Sequence, residues 1–143
     1  MSQPRAGPEP PRPHLSAMLV CDHAIREAGT NKVTLVGIFD RIFSSSFPSD
    51  YMTPISVYAR VTDAAGVYRM RLELVRLEDD QATGRAETDV EIQDRMRPHE
   101  LTYTIPGVRF ERPGVYEFRL FASDRFLGGM TLNVVQLDQE EGA

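Results

Sequence analysis

The stretch FERPGVYEFRLF, residues 110–121, decides the fold class of this chain. Its Pro113–Gly114 pair is a turn signal, because proline presets φ and glycine accepts a positive φ. After the turn every second residue is large and apolar (Tyr116, Phe118 and Leu120), and charged residues stand between them. A period of two places these apolar side chains on one face of a β-strand. We therefore predict a half-buried strand with Phe118 near the centre of the core.

Other segments of the chain are also typical of strands. Ala17–Cys21 is apolar on both faces, which indicates a central strand. Lys32–Phe39 is again apolar on both faces and is expected to form a hairpin with the first strand. A change of phase near Leu74 and Val75 predicts a β-bulge.

About eight such segments follow one another with turn signals between them. Helical periodicity is weak, and at most a helical turn is expected near residues 23–28 or 93–97. Regularly spaced short strands are typical of an antiparallel sandwich or barrel. We therefore predict an all-β protein, an antiparallel and immunoglobulin-like β-sandwich of about eight strands.

Two rows of charge are expected on the outer face of one predicted hairpin. Arg69 and Arg71, with Glu73, alternate with apolar residues in one segment, and Glu87, Asp89 and Glu91 do so in the next. If the two segments pair, the rows lie side by side and neutralise each other. A solvated face with weak ion pairs is the favoured interpretation, and a docking surface is the alternative.

The two ends of the chain differ in composition from its middle. Residues 1–16 are rich in proline and poor in large apolar residues, so they are predicted to be a disordered tail. A proline-rich ligand for an SH3-type domain is the alternative interpretation of this tail. Residues 17–137 are predicted to form a single β-sandwich domain, and residues 138–143 a frayed acidic tail.

Charge and cysteine content limit the compartment and the partners. The formal net charge of −5 argues against nucleic acid or an anionic membrane as a partner. Cys21 is the only cysteine, so an intramolecular disulfide cannot form and a reducing cytoplasm is expected. A secretory signal is not recognised, and the longest apolar run, Ala17–Cys21, is too short to span a bilayer.

One segment brings nucleophile-type residues together, Cys21-Asp22-His23. In a strand Cys21 and His23 share a face and lie about 6–7 Å apart, which is too far for a hydrogen-bonded nucleophile and base. A buried structural cysteine is the favoured interpretation. We predict no catalytic residue.

Metal ligands are not grouped in the sequence either. The three histidines, His14, His23 and His99, lie in different segments without the spacing of a zinc site. Three aspartates in the middle of the chain do not form a calcium loop; they are Asp79, Asp80 and Asp89. We therefore predict no metal ligand, no cofactor-binding residue and no cofactor.

Four motifs together resemble a known family. They are Met18–Asp22, Val36–Phe39, Arg71–Leu74 and Pro113–Leu120. In this order they are similar to a family of small uncharacterised bacterial proteins that is catalogued only as a domain of unknown function. The resemblance covers Ala17–Gln136 and implies a bacterial β-sandwich, with no activity or site residue to carry over. The Pro-Gly-x-Tyr pattern also resembles the tyrosine corner of immunoglobulin-like sandwiches.

Three functions are compatible with the sequence. The favoured one is a non-enzymatic binding or scaffold domain that contacts a protein partner through a sheet face, an edge strand or loops. The first alternative is an enzyme whose site is assembled from dispersed residues such as His23, Asp40, Asp124 and Arg125. The second is a structural subunit that self-associates through outward-facing residues; the candidates are Tyr58, Val115 and Phe121.

Overall fold

The computed structural model describes residues 9–138, which form eleven β-strands and no helix. The strands are β1 (His14–Arg26), β2 (Val33–Ile38), β3 (Arg41–Ser44), β4 (Ser49–Tyr51), β5 (Ile55–Thr62), β6 (Gly66–Arg76), β7 (Gln81–Ile92), β8 (His99–Ile105), β9 (Val108–Phe110), β10 (Gly114–Ala122) and β11 (Arg125–Gln136). The all-β fold class predicted from the sequence is confirmed. No membrane-spanning helix is found among these residues.

The expected count of eight strands is wrong, because β3, β4 and β9 could not be recognised in the sequence. These strands have only three or four residues, which is too few to display a period of two. β3 also pairs in parallel with β11, a partner distant in sequence, so no local turn signal announces it. The helical turn considered near residues 23–28 is not formed, since β1 continues to Arg26.

The strands form three sheets. The four-stranded sheet has the order β2-β1-β5-β8, the five-stranded sheet the order β3-β11-β10-β6-β7, and the small third sheet pairs β4 with β9. All pairings are antiparallel except that of β3 with β11. The β6–β7 ladder shifts register between Leu74 and Val75, which confirms the predicted bulge.

One hydrophobic core joins the inner faces of the two larger sheets. Val20, Val57 and Phe118 are fully buried members of it, and they come from β1, β5 and β10. The neighbours of Phe118 on β10, Glu117 and Arg119, remain partly exposed. The alternation predicted for the opening stretch is therefore confirmed.

A hydrogen bond closes the turn that precedes β10. The hydroxyl of Tyr116 donates to the carbonyl oxygen of Arg112 at 2.8 Å. Tyr116 is itself buried, and its ring packs edge-on against Phe110 with the ring centroids 5.1 Å apart. The tyrosine thus ties the start of β10 to the chain four residues upstream.

The N-terminal boundary differs from the one expected for the tail. Residues 14–16, assigned to the tail by the sequence, begin β1, where Leu15 pairs with Val61 of β5. Before β1, the carbonyl oxygen of Pro11 accepts a hydrogen bond from the Tyr68 hydroxyl at 2.6 Å. The rest of the predicted tail, residues 1–8, lies outside the described residues, as do residues 139–143 of the predicted acidic tail.

Candidate interaction surface

The β1–β2 hairpin forms one side of the four-stranded sheet. β1 pairs with β5 on one side and β2 on the other, so it is central as its apolar faces predicted. β2 is also apolar on both faces, yet in the described part of the chain it pairs with β1 alone and lies at the edge. An edge strand directs alternate peptide N–H and C=O groups away from its sheet. β2 therefore offers both open backbone groups and apolar side chains.

Three large apolar side chains are exposed on the outward face of this hairpin. They are Ile25, Val36 and Ile38, with 50%, 44% and 57% of their surface accessible. Ile25 pairs with Thr34, which makes it a diagonal neighbour of Val36 at about 7–8 Å. Val36 and Ile38 are two positions apart on one strand, about 6–7 Å. We call Ile25, Val36 and Ile38 the β2 edge patch; grouped exposed apolar residues of this kind mark interaction sites.

Cys21 lies beside this patch, opposite Ile38 in the hairpin, and is fully buried. Its Sγ donates a hydrogen bond to the backbone carbonyl oxygen of His23 at 3.4 Å. Burial raises the pKa of the Cys21 thiol, and the neighbouring Asp22 carboxylate raises it further. Both effects favour the neutral thiol over the nucleophilic thiolate. The geometry is that of a buried structural cysteine, which is the interpretation that the sequence favoured.

A cleft of about 390 Å³ opens at the end of β2. Its lining includes Ile38, Phe43 and Tyr51, together with Asp22. Burial raises the pKa of the Tyr51 hydroxyl, and the Asp22 carboxylate adds to the effect. The cleft can receive an apolar side chain from a partner that pairs with the edge of β2.

Gly37 fixes the backbone next to this cleft. Its φ of +69° lies in the left-handed region that favours glycine. A Cβ at this position would overlap the carboxylate of Asp22, with the Asp22 Cγ only 2.9 Å away. The absence of a side chain at Gly37 thus allows the Asp22 carboxylate to lie against the backbone of β2. The positive φ of Gly37 makes the backbone irregular near the end of this strand.

The aspartates considered as metal ligands are instead engaged by arginines. Asp79 pairs with Arg76, Asp80 with Arg119 and Asp89 with Arg69. Within residues 9–138, no three His, Cys, Asp or Glu side chains are close enough together to hold a metal ion.

The dispersed residues of the enzyme hypothesis do not converge. The carbonyl oxygen of Asp40 accepts a hydrogen bond from the Asn133 amide, at one end of β11. Asp124 precedes β11 at its other end and Arg125 begins this strand, so they lie nine and eight residues from Asn133, or about 25–30 Å along the strand. There the Asp124 carboxylate accepts a hydrogen bond from Arg71 at 2.5 Å. His23 is on β1, in the other large sheet.

The residues proposed for self-association are on two different sheets. Tyr58 is on β5 of the four-stranded sheet, whereas Val115 and Phe121 are on β10 of the five-stranded sheet. The Tyr58 hydroxyl donates to the Glu100 carboxylate, and burial followed by this bond raises its pKa to about 12. These three residues therefore do not form a single patch.

The outward face of the five-stranded sheet is dominated by ion pairs. Arg69 on β6 lies opposite Asp89 on β7 and also contacts Glu87, with an Nε–Oε2 distance of 2.7 Å. The two charged rows thus lie side by side as predicted and neutralise each other at Arg69, Glu87 and Asp89, whereas Glu91 makes no salt bridge among residues 9–138. On the same sheet the guanidinium of Arg71 lies 4.3 Å above the ring of Phe121. Exposed pairs of this kind contribute little stability, and they compensate most of the charge on this face.

Burial of Arg76 was not expected from the sequence. Arg76 ends β6 and makes two hydrogen bonds to the carboxylate of Asp79, at 3.0 and 2.7 Å. These bonds raise the pKa of Arg76 and lower that of Asp79. Arg76 also lines a cavity of about 350 Å³ with Arg109, which is paired with Glu111. Because both arginines are matched by carboxylates, this cavity is a weak candidate for anion binding.

Comparison with known proteins agrees with the resemblance seen in the sequence. Curated proteins give no significant match to the chain. The model of a family of unknown function, DUF6941, matches residues 16–135. The match contains the β1–β2 hairpin and almost all of the strands described above. The chain therefore belongs to DUF6941, a family of unknown function.

Proposed function

We propose that this chain is a non-enzymatic binding domain that recognises a protein partner through the edge of β2. The observation that carries the proposal is the place of β2, an uncharged strand of six residues at the edge of a sheet. Its outward side chains Val36 and Ile38 are exposed, and a cleft lined by apolar residues together with Asp22 and Arg41 opens at its end. Addition of an extended segment to such an edge is a common mode of recognition.

The mode of binding follows from the chemistry of the edge. Backbone hydrogen bonds to β2 would provide affinity for any extended strand. The β2 edge patch would then select apolar side chains at every second position of the partner, because these share one face. By contrast β7, at the edge of the other large sheet, carries Arg85, Glu87 and Asp89. Charges on an edge strand oppose pairing with another strand.

We also infer an immunoglobulin-like arrangement for the two larger sheets. The shared core between their inner faces and the parallel pairing of β3 with β11 support it. The hydrogen bond from Tyr116 to Arg112 has the form of a tyrosine corner, which occurs in such sandwiches. Bacterial origin and a cytoplasmic location stay predictions from the sequence.

A capture experiment with matched variants tests the binding role. Tagged protein carrying Val36→Lys is compared with wild type and with Val115→Lys in extracts of the native cell. Val115 is 42% exposed, nearly the same as Val36, but it lies on the five-stranded sheet. We expect Val36→Lys to abolish capture of a partner that wild type and Val115→Lys retain. Equal capture by all three proteins would refute the role of β2.

A further inference from the structure

A row of exposed side chains runs along β2 and beyond both of its ends. Its members are Lys32, Thr34, Val36, Ile38 and Asp40, all exposed, whereas the intervening residues 33, 35 and 39 are half-buried. The row begins with a cation and ends with an anion, and its middle is uncharged. Val36 stands at its midpoint, four positions from each charge.

The two charges at the ends of the row are uncompensated in the described part of the chain. Neither the ammonium group of Lys32 nor the carboxylate of Asp40 forms a salt bridge among residues 9–138. Most arginines of the same region are paired with carboxylates, so the unpaired cation at Lys32 is uncommon there. A partner that docks along β2 can therefore supply one anion and one cation at a fixed spacing.

From this pattern we infer that the partner of the β2 edge is a second copy of the chain, joined by antiparallel pairing of β2 with β2 about a two-fold axis through Val36. In this register Lys32 of each copy faces Asp40 of the other. Thr34 faces Ile38, and the two Val36 side chains face one another. A two-fold interface must be self-complementary, and this row meets that condition in both charge and apolarity. The inference rests on the proposed binding role of β2.

The strength of this pairing is set by its size. Six residues of strand bury less surface than the roughly 1,200–2,000 Å² of a stable interface. In this register Gly37 of each copy faces Leu35 of the other, so its positive φ interrupts the regular ladder once on each side of the axis. We expect a dimer in the micromolar range that forms at high local concentration and weakens as salt screens its two ion pairs.

Charge reversal gives a sharp test by sedimentation equilibrium over a range of concentrations. Lys32→Glu and Asp40→Lys each place like charges opposite one another twice, so each should raise the dissociation constant at least about tenfold. An equimolar mixture of the two variants should dimerise again, because each variant supplies the charge that the other has reversed. Arg85→Glu, at an exposed residue of β7 in the other large sheet, makes the same change in net charge as Lys32→Glu and should leave dimerisation unchanged.

Hydrogen exchange locates the interface and separates the inference from the proposed function. The amides of β2 should become more protected as the concentration of wild type rises, and those of β7 should not. A wild type that stays monomeric at all concentrations, or a variant mixture that stays monomeric, would overturn the inference. If Val36→Lys nevertheless loses a captured partner, β2 binds another protein and the proposed function stands. If Val36→Lys retains that partner and the protein is monomeric, both fail.

Discussion

The hydroxyl of Tyr116 donates a hydrogen bond of 2.8 Å to the carbonyl oxygen of Arg112, whereas the buried hydroxyl of Tyr103 has no partner within the described residues. Burial alone raises the pKa of Tyr103 to about 12. The two tyrosines therefore make opposite predictions for removal of a hydroxyl group. Tyr116→Phe should reduce the free energy of unfolding by about 1–2 kcal/mol, because it leaves a carbonyl unsatisfied.

Tyr103→Phe provides the matched control for this experiment. It removes a buried polar atom without breaking a hydrogen bond, so it should leave stability unchanged or raise it by up to about 1 kcal/mol. Urea denaturation of both variants and wild type gives the comparison. A larger loss for Tyr103→Phe than for Tyr116→Phe would contradict the bond assigned to the turn before β10.

The register of β10 predicts a large difference between two adjacent substitutions. Phe118 is fully buried, and Phe118→Ala should cost about 3–5 kcal/mol through lost burial and the cavity left behind. Arg119 is partly exposed and pairs with Glu117 and Asp80, so Arg119→Ala should cost about 0.5 kcal/mol or less. Chemical denaturation measures both values. Similar stabilities of the two variants would mean that the strand is assigned to the wrong register.

The segment before β1 predicts a measurable effect of truncation. Pro11 accepts a hydrogen bond from Tyr68, and the carbonyl oxygen of Pro10 accepts one from Arg125 at 2.9 Å. A chain that starts at His14 loses both bonds and should be less stable by about 1–2 kcal/mol than a chain that starts at Glu9. Thermal melts of the two truncated proteins make the comparison. Identical melting temperatures would instead support the disordered tail expected from the sequence.

Local patterns in the sequence were sufficient to predict β10, the central place of β1 and the bulge at Leu74. Each of these features depends on the alternation of neighbouring residues, which a single sequence displays directly. The edge position of β2 could not be predicted, because it depends on which strands fail to pair with it. Its apolar composition pointed to burial on both faces, and the exposed patch is the consequence of that difference.

The burial of Arg76 and its ion pair could not be predicted from the sequence for a related reason. Arg76 follows the bulge of β6, where the alternation changes phase, so its burial does not follow from counting along the strand. The self-complementary row from Lys32 to Asp40 was visible in the sequence. Its meaning appeared only when β2 was found at an edge.

Because the thiol of Cys21 is buried, we expect it to react slowly with thiol reagents. Burial and the neighbouring Asp22 carboxylate raise the pKa of this thiol, so the neutral thiol is favoured over the reactive thiolate, and the sulfur is buried. A thiol reagent should label the native protein far more slowly than the unfolded protein. Cys21→Ser should retain the capture of any partner and lose only modest stability. Labelling of the native protein at the rate of the unfolded chain would show that the β1–β2 hairpin opens readily.

Alanine substitutions at Gly37 and Gly107 measure how much of the requirement for glycine at position 37 comes from contact with Asp22. Both glycines have a left-handed backbone, with φ of +69° and +65°. A Cβ at Gly107 would meet no atom within 4 Å in the described structure, whereas one at Gly37 would overlap the Asp22 carboxylate. Gly107→Ala should therefore show the backbone penalty alone, about 1–2 kcal/mol. Gly37→Ala should lose more, because the Asp22 side chain must also move.

The double variant Gly37→Ala/Asp22→Ala separates these two effects. Removing the carboxylate relieves the overlap but not the backbone strain, so the loss at position 37, measured in the Asp22→Ala background, should fall to that of Gly107→Ala. Urea denaturation of the four variants and wild type completes the cycle. Equal losses for Gly37→Ala with and without Asp22 would mean that the carboxylate does not lie over Gly37. Asp22 would then not line the cleft at the end of β2 as described, and the cleft would be a weaker candidate site for a partner's apolar side chain.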